Sequence, residues 1–103
     1  MKIDFTTPIQ TLDGKPILNN PGNQPATLKT ITTDALLASF EDEKNITGEE
    51  KLKRYLLATR IYANPQNIDL TVEETALIKK LIGKGFGPLI VGQAYEIIES
   101  KQT

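Results

Sequence analysis

Residues 70–99, LTVEETALIKKLIGKGFGPLIVGQAYEIIE, constrain the fold of this chain more than any other stretch. Thr71 and Glu74 have the spacing of a capping box, which satisfies backbone N–H groups at the start of a helix. Apolar residues then recur at helical spacing until Gly83, which is suited with Gly85 to left-handed helix caps. Pro88 fits the first turn of a new helix. The stretch predicts two amphipathic helices joined by a glycine-rich corner, and we expect this pair at the centre of the fold.

A further long helix is predicted over residues 48–63. Thr47 and Glu50 again have capping-box spacing, and Asn64-Pro65 ends the helix because the residue before a proline disfavours helical geometry. Its apolar residues form a stripe broad enough to contact two neighbouring elements. That stripe consists of Leu52, Tyr55, Leu56, Thr59 and Tyr62, widened by Leu57 and Ile61.

The first helix has a weaker signature, and we predict it near residues 33–42. Thr32 or Thr33 is suited to cap it, with Asp34 in its first turn. Its C-terminal end meets the acidic run 41–43, and because carboxylates there oppose the helix dipole, we expect that end to be shortened. The simplest interpretation of the run is a solvated acidic end.

The N-terminal third predicts a small β-hairpin over residues 3–18, with Asp13-Gly14 as its turn and Pro8 favouring an edge position. Residues 19–31 predict a loop and connector, of which 27–31 form either a third strand or a direct lead into a helix. Residues 32–100 then form the helical part. The predicted fold is a mainly helical (α+β) single domain: a compact bundle of four helices, near 33–42, 48–63, 71–83 and 88–99, with an N-terminal hairpin.

Composition restricts the chemistry. The 103 residues include no cysteine and no histidine, which excludes disulfides, thiolate zinc sites and cysteine nucleophiles, and removes the commonest general base. The net charge of −1 gives no electrostatic reason to expect nucleic acid or an anionic membrane. We therefore expect no cofactor, no metal and no enzyme activity. The N-terminus lacks the pattern of a secretory signal and no apolar run approaches a membrane span, so the expected location is the cytoplasm.

Gly83-Lys84-Gly85-Phe86-Gly87 invites comparison with phosphate-binding loops, but it lacks the spacing and the Ser or Thr of a Walker loop. The end of one helix and a tight corner are sufficient to explain this glycine-rich segment. The alternative is that N–H groups at the start of the last helix bind an anion.

The aromatic and basic residues form a candidate interaction surface, because Tyr and Arg are enriched at binding hot spots. A tyrosine at helical spacing is more often core-lining, with its hydroxyl reaching water. The basic side of helix 48–63 either faces the acidic residues 34–44, is solvated, or binds phosphate weakly. The candidate residues are Lys51, Arg54, Tyr55, Arg60, Tyr62, Lys84, Phe86 and Tyr95.

Three stretches together carry a resemblance: MKIDFTTPIQTLDGKPI, GEEKLKRYLLATRIY and LTVEETALIKKLIGKGFGPLIVGQAYEIIE. The chain resembles small uncharacterised proteins encoded in tailed-bacteriophage and prophage genomes. The resemblance implies a viral protein in a bacterial cytoplasm, and leaves open whether it enters the virion. It implies no catalytic residue.

The expected function is that of an accessory protein acting as an interaction or assembly module. Its expected partner is a viral or host protein, or a second copy of itself in a homo-oligomer. If so, an exposed apolar patch should exist. The alternative is a weak nucleic-acid-associated protein that uses the basic side of helix 48–63, for which binding would weaken steeply with salt.

Overall fold

The computed structural model describes residues 2–19, 24–66 and 68–100. Within these ranges it contains four helices and four two-residue strands. The helices are α1 (Leu28–Leu37), α2 (Gly48–Ala63), α3 (Val72–Gly85) and α4 (Pro88–Ser100). The strands are β1 (Lys2–Ile3), β2 (Leu18–Asn19), β3 (Gln24–Pro25) and β4 (Ile68–Asp69). The predicted fold class is confirmed: the fold is compact and mainly helical, with a small antiparallel hairpin near the N-terminus.

The hairpin strands lie C-terminal to their predicted position, since β2 pairs antiparallel with β3. The predicted Asp13-Gly14 turn is present, because Gly14 has a φ of 86° and donates to the Thr11 carbonyl, but only an isolated bridge between Gln10 and Pro16 flanks it. A proline cannot donate to a ladder, which limits pairing there. β1 instead pairs with β4, far along the chain. The loop predicted over 19–26 lies partly outside the described residues, at 20–23.

Helix α1 begins five residues earlier than predicted. Thr27 is its N-cap and accepts from the Thr30 N–H, so residues 27–31 lead into the helix. Thr32 and Thr33, the predicted caps, lie buried inside it; the Thr33 hydroxyl donates to the Lys29 carbonyl at 2.9 Å. A threonine satisfied by the carbonyl four residues earlier does not have to end a helix. The helix also ends at Leu37, well before the acidic run 41–43.

The centre of the fold also differs from the prediction. Helix α1 packs against both α2 and α3, and α3 packs against α4, so α1 and α3 are central rather than the pair 71–83 and 88–99. Six of the ten residues of α1 are buried, which requires neighbours on more than one side. In α4 only Ala94 and Ile98 are fully buried among the described side chains, and its other core contacts are partly exposed.

The predicted helix caps are confirmed in part. The capping box of α3 is complete, with Thr71 accepting from the Glu74 N–H at 3.0 Å and Glu74 accepting from the Thr71 N–H at 2.9 Å. In α2, Thr47 accepts from the Glu50 N–H, but the Glu50 carboxylate lies beside Arg54 one turn later.

The glycine caps predicted at the end of α3 are wrong. The helix continues through Gly83 to Gly85 and ends on Phe86, which caps it in an extended conformation with φ −136°. Phe86 packs partly buried against the core, and its N–H donates to the Ile82 carbonyl. The anchoring of this aromatic side chain therefore fixes the corner without a left-handed residue.

Candidate interaction surface on helix α2

Helix α2 turns a different face to the core than the sequence predicts. The buried residues of α2 are Arg54, Leu57, Ala58 and Ile61, which share one face at the spacing i, i+3, i+4, i+7. The predicted stripe consequently faces outward. Its large side chains are 50–67% exposed: Leu52 54%, Tyr55 55%, Leu56 50% and Tyr62 67%. Leu57 and Ile61, which were predicted to widen this packing face, are buried, but the prediction is wrong for the rest of the stripe. We call Leu52, Tyr55, Leu56, Thr59 and Tyr62 the outer stripe.

The outer stripe borders a groove between α1 and α2, here called the α1–α2 groove. Leu37 of α1, which is itself 60% exposed, faces Tyr55 across it. The groove has a volume of about 440 Å³, within the range of pockets that hold small ligands or side chains. Its principal lining residues are Thr33, Asp34, Leu37, Tyr55, Ala58 and Tyr62.

A second groove lies between α2 and α3, on the other flank of the stripe. Leu56 and Leu77 supply its apolar surface, and Lys53, Arg60 and Glu73 stand around it. The Arg60 guanidinium is held on this flank by Glu74, at 2.6 Å, and by the carbonyl of Asp69, at 3.2 Å. Burial alone would raise the pKa of Glu74, but the hydrogen bonds from the Thr71 backbone N–H and from Arg60 together outweigh it and lower that pKa. Arg60 is thus fixed at the rim rather than free to reach a partner.

The electrostatics of the α1–α2 groove are uneven. The Lys29 ammonium lies 4.4 Å from the centroid of the Tyr62 ring, a cation–π contact. The Asp34 carboxylate, on an exposed residue, has no salt bridge or hydrogen bond to another described residue, and partial burial raises its pKa. The groove therefore combines apolar walls with one carboxylate that no cation in the described part of the chain compensates.

Two of the predicted surface residues are structural instead. Arg54 is 6% exposed, and its guanidinium donates two hydrogen bonds to Glu43. Lys84 lies 3.1 Å from Asp42 and 3.4 Å from Glu43, with its ammonium over the ring of Phe40. Asp42 and Glu43 of the acidic run are therefore paired with cations within the fold, which corrects the interpretation of the run as a solvated end at these two residues.

Tyr95 and Phe86 also lie apart from the outer stripe. The Tyr95 hydroxyl donates to the Lys79 carbonyl at 2.6 Å, and the Lys79 ammonium lies over its ring. Both aromatic side chains pack partly buried against the core. Of the eight predicted residues, the structure brings Tyr55, Tyr62, Lys51 and Arg60 to the exposed surface of α2 and its rims.

Sequence reasoning missed Leu37 and Asp34 as parts of this surface, and it assigned Leu52 and Leu56 to packing. A signal was present, because Leu52, Leu56 and Thr59 recur at i, i+4 and i+7, and Arg54, Leu57, Ala58 and Ile61 form a second line on the same helix. Because the second line contains an arginine, which is rarely buried unless it is paired, the sequence favours the first line as the buried one.

The free cations of α2 do not form one basic patch. Within the described ranges, the ammonium groups of Lys51 and Lys53 have no ion pair or hydrogen bond, but Lys51 stands on the α1 flank and Lys53 on the α3 flank. Arg54 and Arg60 are engaged by carboxylates. The opposite charges of helix 48–63 and of the segment before it thus pair within the fold through Arg54 and Glu43.

Comparison with protein-family models, with curated proteins and with solved structures gives no match for this chain. Among the described residues, no group of three or more acidic side chains is placed to hold a metal ion. In the same part of the chain, no helix combines the length and apolar character needed to cross a membrane.

Proposed function

We propose that this protein is a non-enzymatic interaction module that binds a protein partner through the outer stripe of α2. The observation that carries the proposal is the exposure of Leu52, Tyr55, Leu56 and Tyr62 on one face of one helix. Monomeric proteins rarely expose a large contiguous apolar patch unless it is used for binding. Leu37 extends this surface onto α1.

The shape of the stripe favours a partner helix or extended segment. Grooves flank α2 on both sides, and the small residues Ala58 and Thr59 separate two tyrosines. Large side chains with small ones between them form the ridges and holes that accept the knobs of a partner helix. Tyrosines at such positions supply contact area at a low cost in conformational entropy.

The most perturbed carboxyl group has a structural explanation. Glu43 has its pKa lowered to about 2, chiefly by the hydrogen bonds from Arg54. A strongly shifted group marks a candidate active site only when its shift serves chemistry. Here the bidentate ion pair that anchors the segment before α2 accounts for the shift. The resemblance to phage-encoded proteins suggests a viral or host bacterial partner in the cytoplasm.

Affinity capture with two matched variants tests the proposal. The wild-type chain, Leu56→Glu and Leu12→Glu are immobilised and exposed to lysate of bacteria with and without prophage induction. Leu12 is 95% exposed and lies outside the stripe, so both variants introduce the same charge on an exposed leucine. We expect proteins captured by the wild type to be retained by Leu12→Glu and lost by Leu56→Glu. Equal capture by the two variants contradicts the proposal.

Light scattering after size-exclusion chromatography identifies the case in which the partner is a second copy. A wild-type mass that is a multiple of 11.4 kDa, together with a monomeric Leu56→Glu variant, assigns the stripe to self-association. A monomeric wild type assigns it to another protein.

A further inference from the structure

Asp34 is the one carboxylate on the wall of the α1–α2 groove. It has no cation or hydrogen-bond donor as partner among the described residues, and burial raises its pKa. Asp34 is exposed at the groove in the unbound chain, so a partner that covers it desolvates the carboxylate further, and an opposite charge within about 4–6 Å reverses that penalty. Asp34 therefore favours a cation at this point of the groove.

The walls of the groove suit a long, slender side chain. Tyr55 and Tyr62 are seven residues apart on α2, which places them about 10 Å apart along the helix. Between them the helix offers only the small side chains of Ala58 and Thr59. Leu37 lies across the groove, on α1. An aliphatic stem fits between the tyrosines, against Ala58 and Leu37, with its end beside Asp34.

At the α1–α2 groove, one cation of the chain itself, the Lys29 ammonium, already lies over an aromatic ring. This ammonium lies 4.4 Å from the centroid of Tyr62 but forms no salt bridge with Asp34. Tyrosine faces attract ammonium and guanidinium groups, and arginine also stacks on aromatic rings. The Tyr55 end of the groove has no such internal occupant among the described residues.

We propose that the α1–α2 groove receives one basic side chain of the partner, arginine before lysine, with its stem between Tyr55 and Tyr62 and its cation on Asp34. This inference rests on the proposed function and names the chemistry of the partner at one position. Arginine is favoured because its planar guanidinium bonds a carboxylate and stacks on a ring at once. An apolar side chain would bury the Asp34 carboxylate without a counter-charge, and an acidic one would add repulsion, so both are selected against.

A display selection tests the inference directly. The library is an amphipathic helical peptide in which the central apolar-face position is randomised to all twenty residues and its neighbours are varied among Leu, Ile and Ala. It is selected separately against the wild type, Asp34→Asn and Asp34→Lys. We expect arginine and lysine to be enriched about tenfold over glutamine with the wild type, a factor that corresponds to about 1.4 kcal/mol. We expect that preference to disappear with Asp34→Asn and to shift to Glu and Asp with Asp34→Lys.

The selection separates failure of the inference from failure of the proposed function. Peptides that lose binding to Leu56→Glu but show no basic preference overturn the inference and leave the outer stripe as the binding surface. A selection that yields no peptide dependent on the stripe contradicts both. Thermal unfolding of the Asp34 variants establishes that they are folded.

A titration with n-butylguanidinium chloride, followed by amide chemical shifts, provides a second measurement. We expect saturable shifts in the millimolar range at Asp34, Leu37, Tyr55 and Ala58. These shifts should be absent with n-butanol, which has the same stem without the charge, and in Asp34→Asn. Shifts that are the same for the cation and the alcohol overturn the inference.

Discussion

The guanidinium of Arg54 donates two parallel hydrogen bonds to the carboxylate of Glu43, at 2.8 Å and 2.7 Å, with side chains only 7% and 11% exposed. This pair joins the segment between α1 and α2 to the inner face of α2, and Lys84 of α3 adds a third charge 3.4 Å from Glu43. The segment is thereby tied to two helices. The position of α2, and hence the outward direction of its stripe, depends in part on this contact.

Replacing only one member of the Arg54–Glu43 ion pair should lower the free energy of unfolding more than replacing both members. We expect Arg54→Met to lower the free energy of unfolding by about 3 kcal/mol, because it leaves the Glu43 carboxylate buried without its main partner. The double variant Arg54→Met/Glu43→Leu should recover most of this loss, since an apolar pair of similar volume has no desolvation penalty. Urea unfolding of the single and double variants measures the coupling. Strictly additive costs would contradict an ion pair at this site.

Stability should fall in acid because of Glu43. Its pKa is about 2 in the folded chain against an ordinary value of 4.5, so the folded state binds the proton more weakly than the unfolded state. The resulting stabilisation is present above pH 4.5 and is lost as the pH falls from about 5 to 2. We expect this loss to be about 3 kcal/mol, since the two pKa values differ by about 2.5 units and each unit corresponds to about 1.4 kcal/mol. Urea unfolding at several pH values should show it in the wild type and much less of it in Glu43→Gln.

Glu74 contributes in the same direction, because its pKa is also lowered. The variant Glu74→Gln is therefore the control, and it should leave most of the acid dependence in place. If Glu43→Gln and Glu74→Gln reduce the dependence equally, Glu43 is not its principal source.

Asp34 should affect the pH dependence of stability in the opposite direction to Glu43 and Glu74. Its folded pKa is raised above the ordinary value of 3.8 by burial, so the folded state binds the proton more tightly than the unfolded state. The charged form therefore disfavours folding, and its cost appears as the pH rises above 3.8. We expect Asp34→Asn to be as stable as the wild type or slightly more stable at pH 7, measured by thermal unfolding. A clear loss of stability would mean that an internal contact already compensates Asp34.

Local signals were sufficient to predict much of the fold. Thr71 and Glu74 define the start of α3 because both halves of a capping box act within one turn, and Asn64-Pro65 ends α2 for a similarly local reason. The beginning of α1 was missed because Thr27, Thr32 and Thr33 are all plausible caps. Their roles were decided by burial against α2 and α3, which is a tertiary effect.

The direction of α2 could not be predicted from the sequence for a related reason. The helix carries two apolar lines, and the one that contains Arg54 looks less suited to burial because arginine is rarely buried unless it is paired. Its partner, Glu43, comes from an irregular segment eleven residues upstream. No local sequence pattern predicts the pairing of Arg54 with Glu43. The sequence therefore favoured the wrong face of α2 as the buried one, and the exposed stripe was found only in the structure.

Gly83 and Tyr95 should be energetically coupled. A Cβ atom at Gly83 would lie 2.9 Å from the Tyr95 hydroxyl oxygen, which donates to the Lys79 carbonyl. In the Tyr95→Phe background that oxygen is absent, so Gly83→Ala should stabilise the chain by about 0.5–1 kcal/mol through helix propensity. In the wild type the displaced hydroxyl should offset this gain by about 1 kcal/mol. Chemical unfolding of all four chains tests the coupling, and an identical effect of Gly83→Ala in both backgrounds would contradict it.

Leu56 and Leu57 are neighbours in sequence, but one lies on the exposed side of α2 and the other on its buried side. Leu57 is 4% exposed and Leu56 is 50% exposed. We expect Leu57→Ala to lower the free energy of unfolding by about 2–5 kcal/mol, because it removes buried methyl groups and leaves a cavity. Leu56→Ala should change it by less than about 0.5 kcal/mol, as is usual for exposed positions. Because both substitutions exchange leucine for alanine in the same helix, propensity cancels and the difference reports burial alone. Similar costs at the two positions would place Leu56 in the core, and would remove the structural basis for binding through the outer stripe.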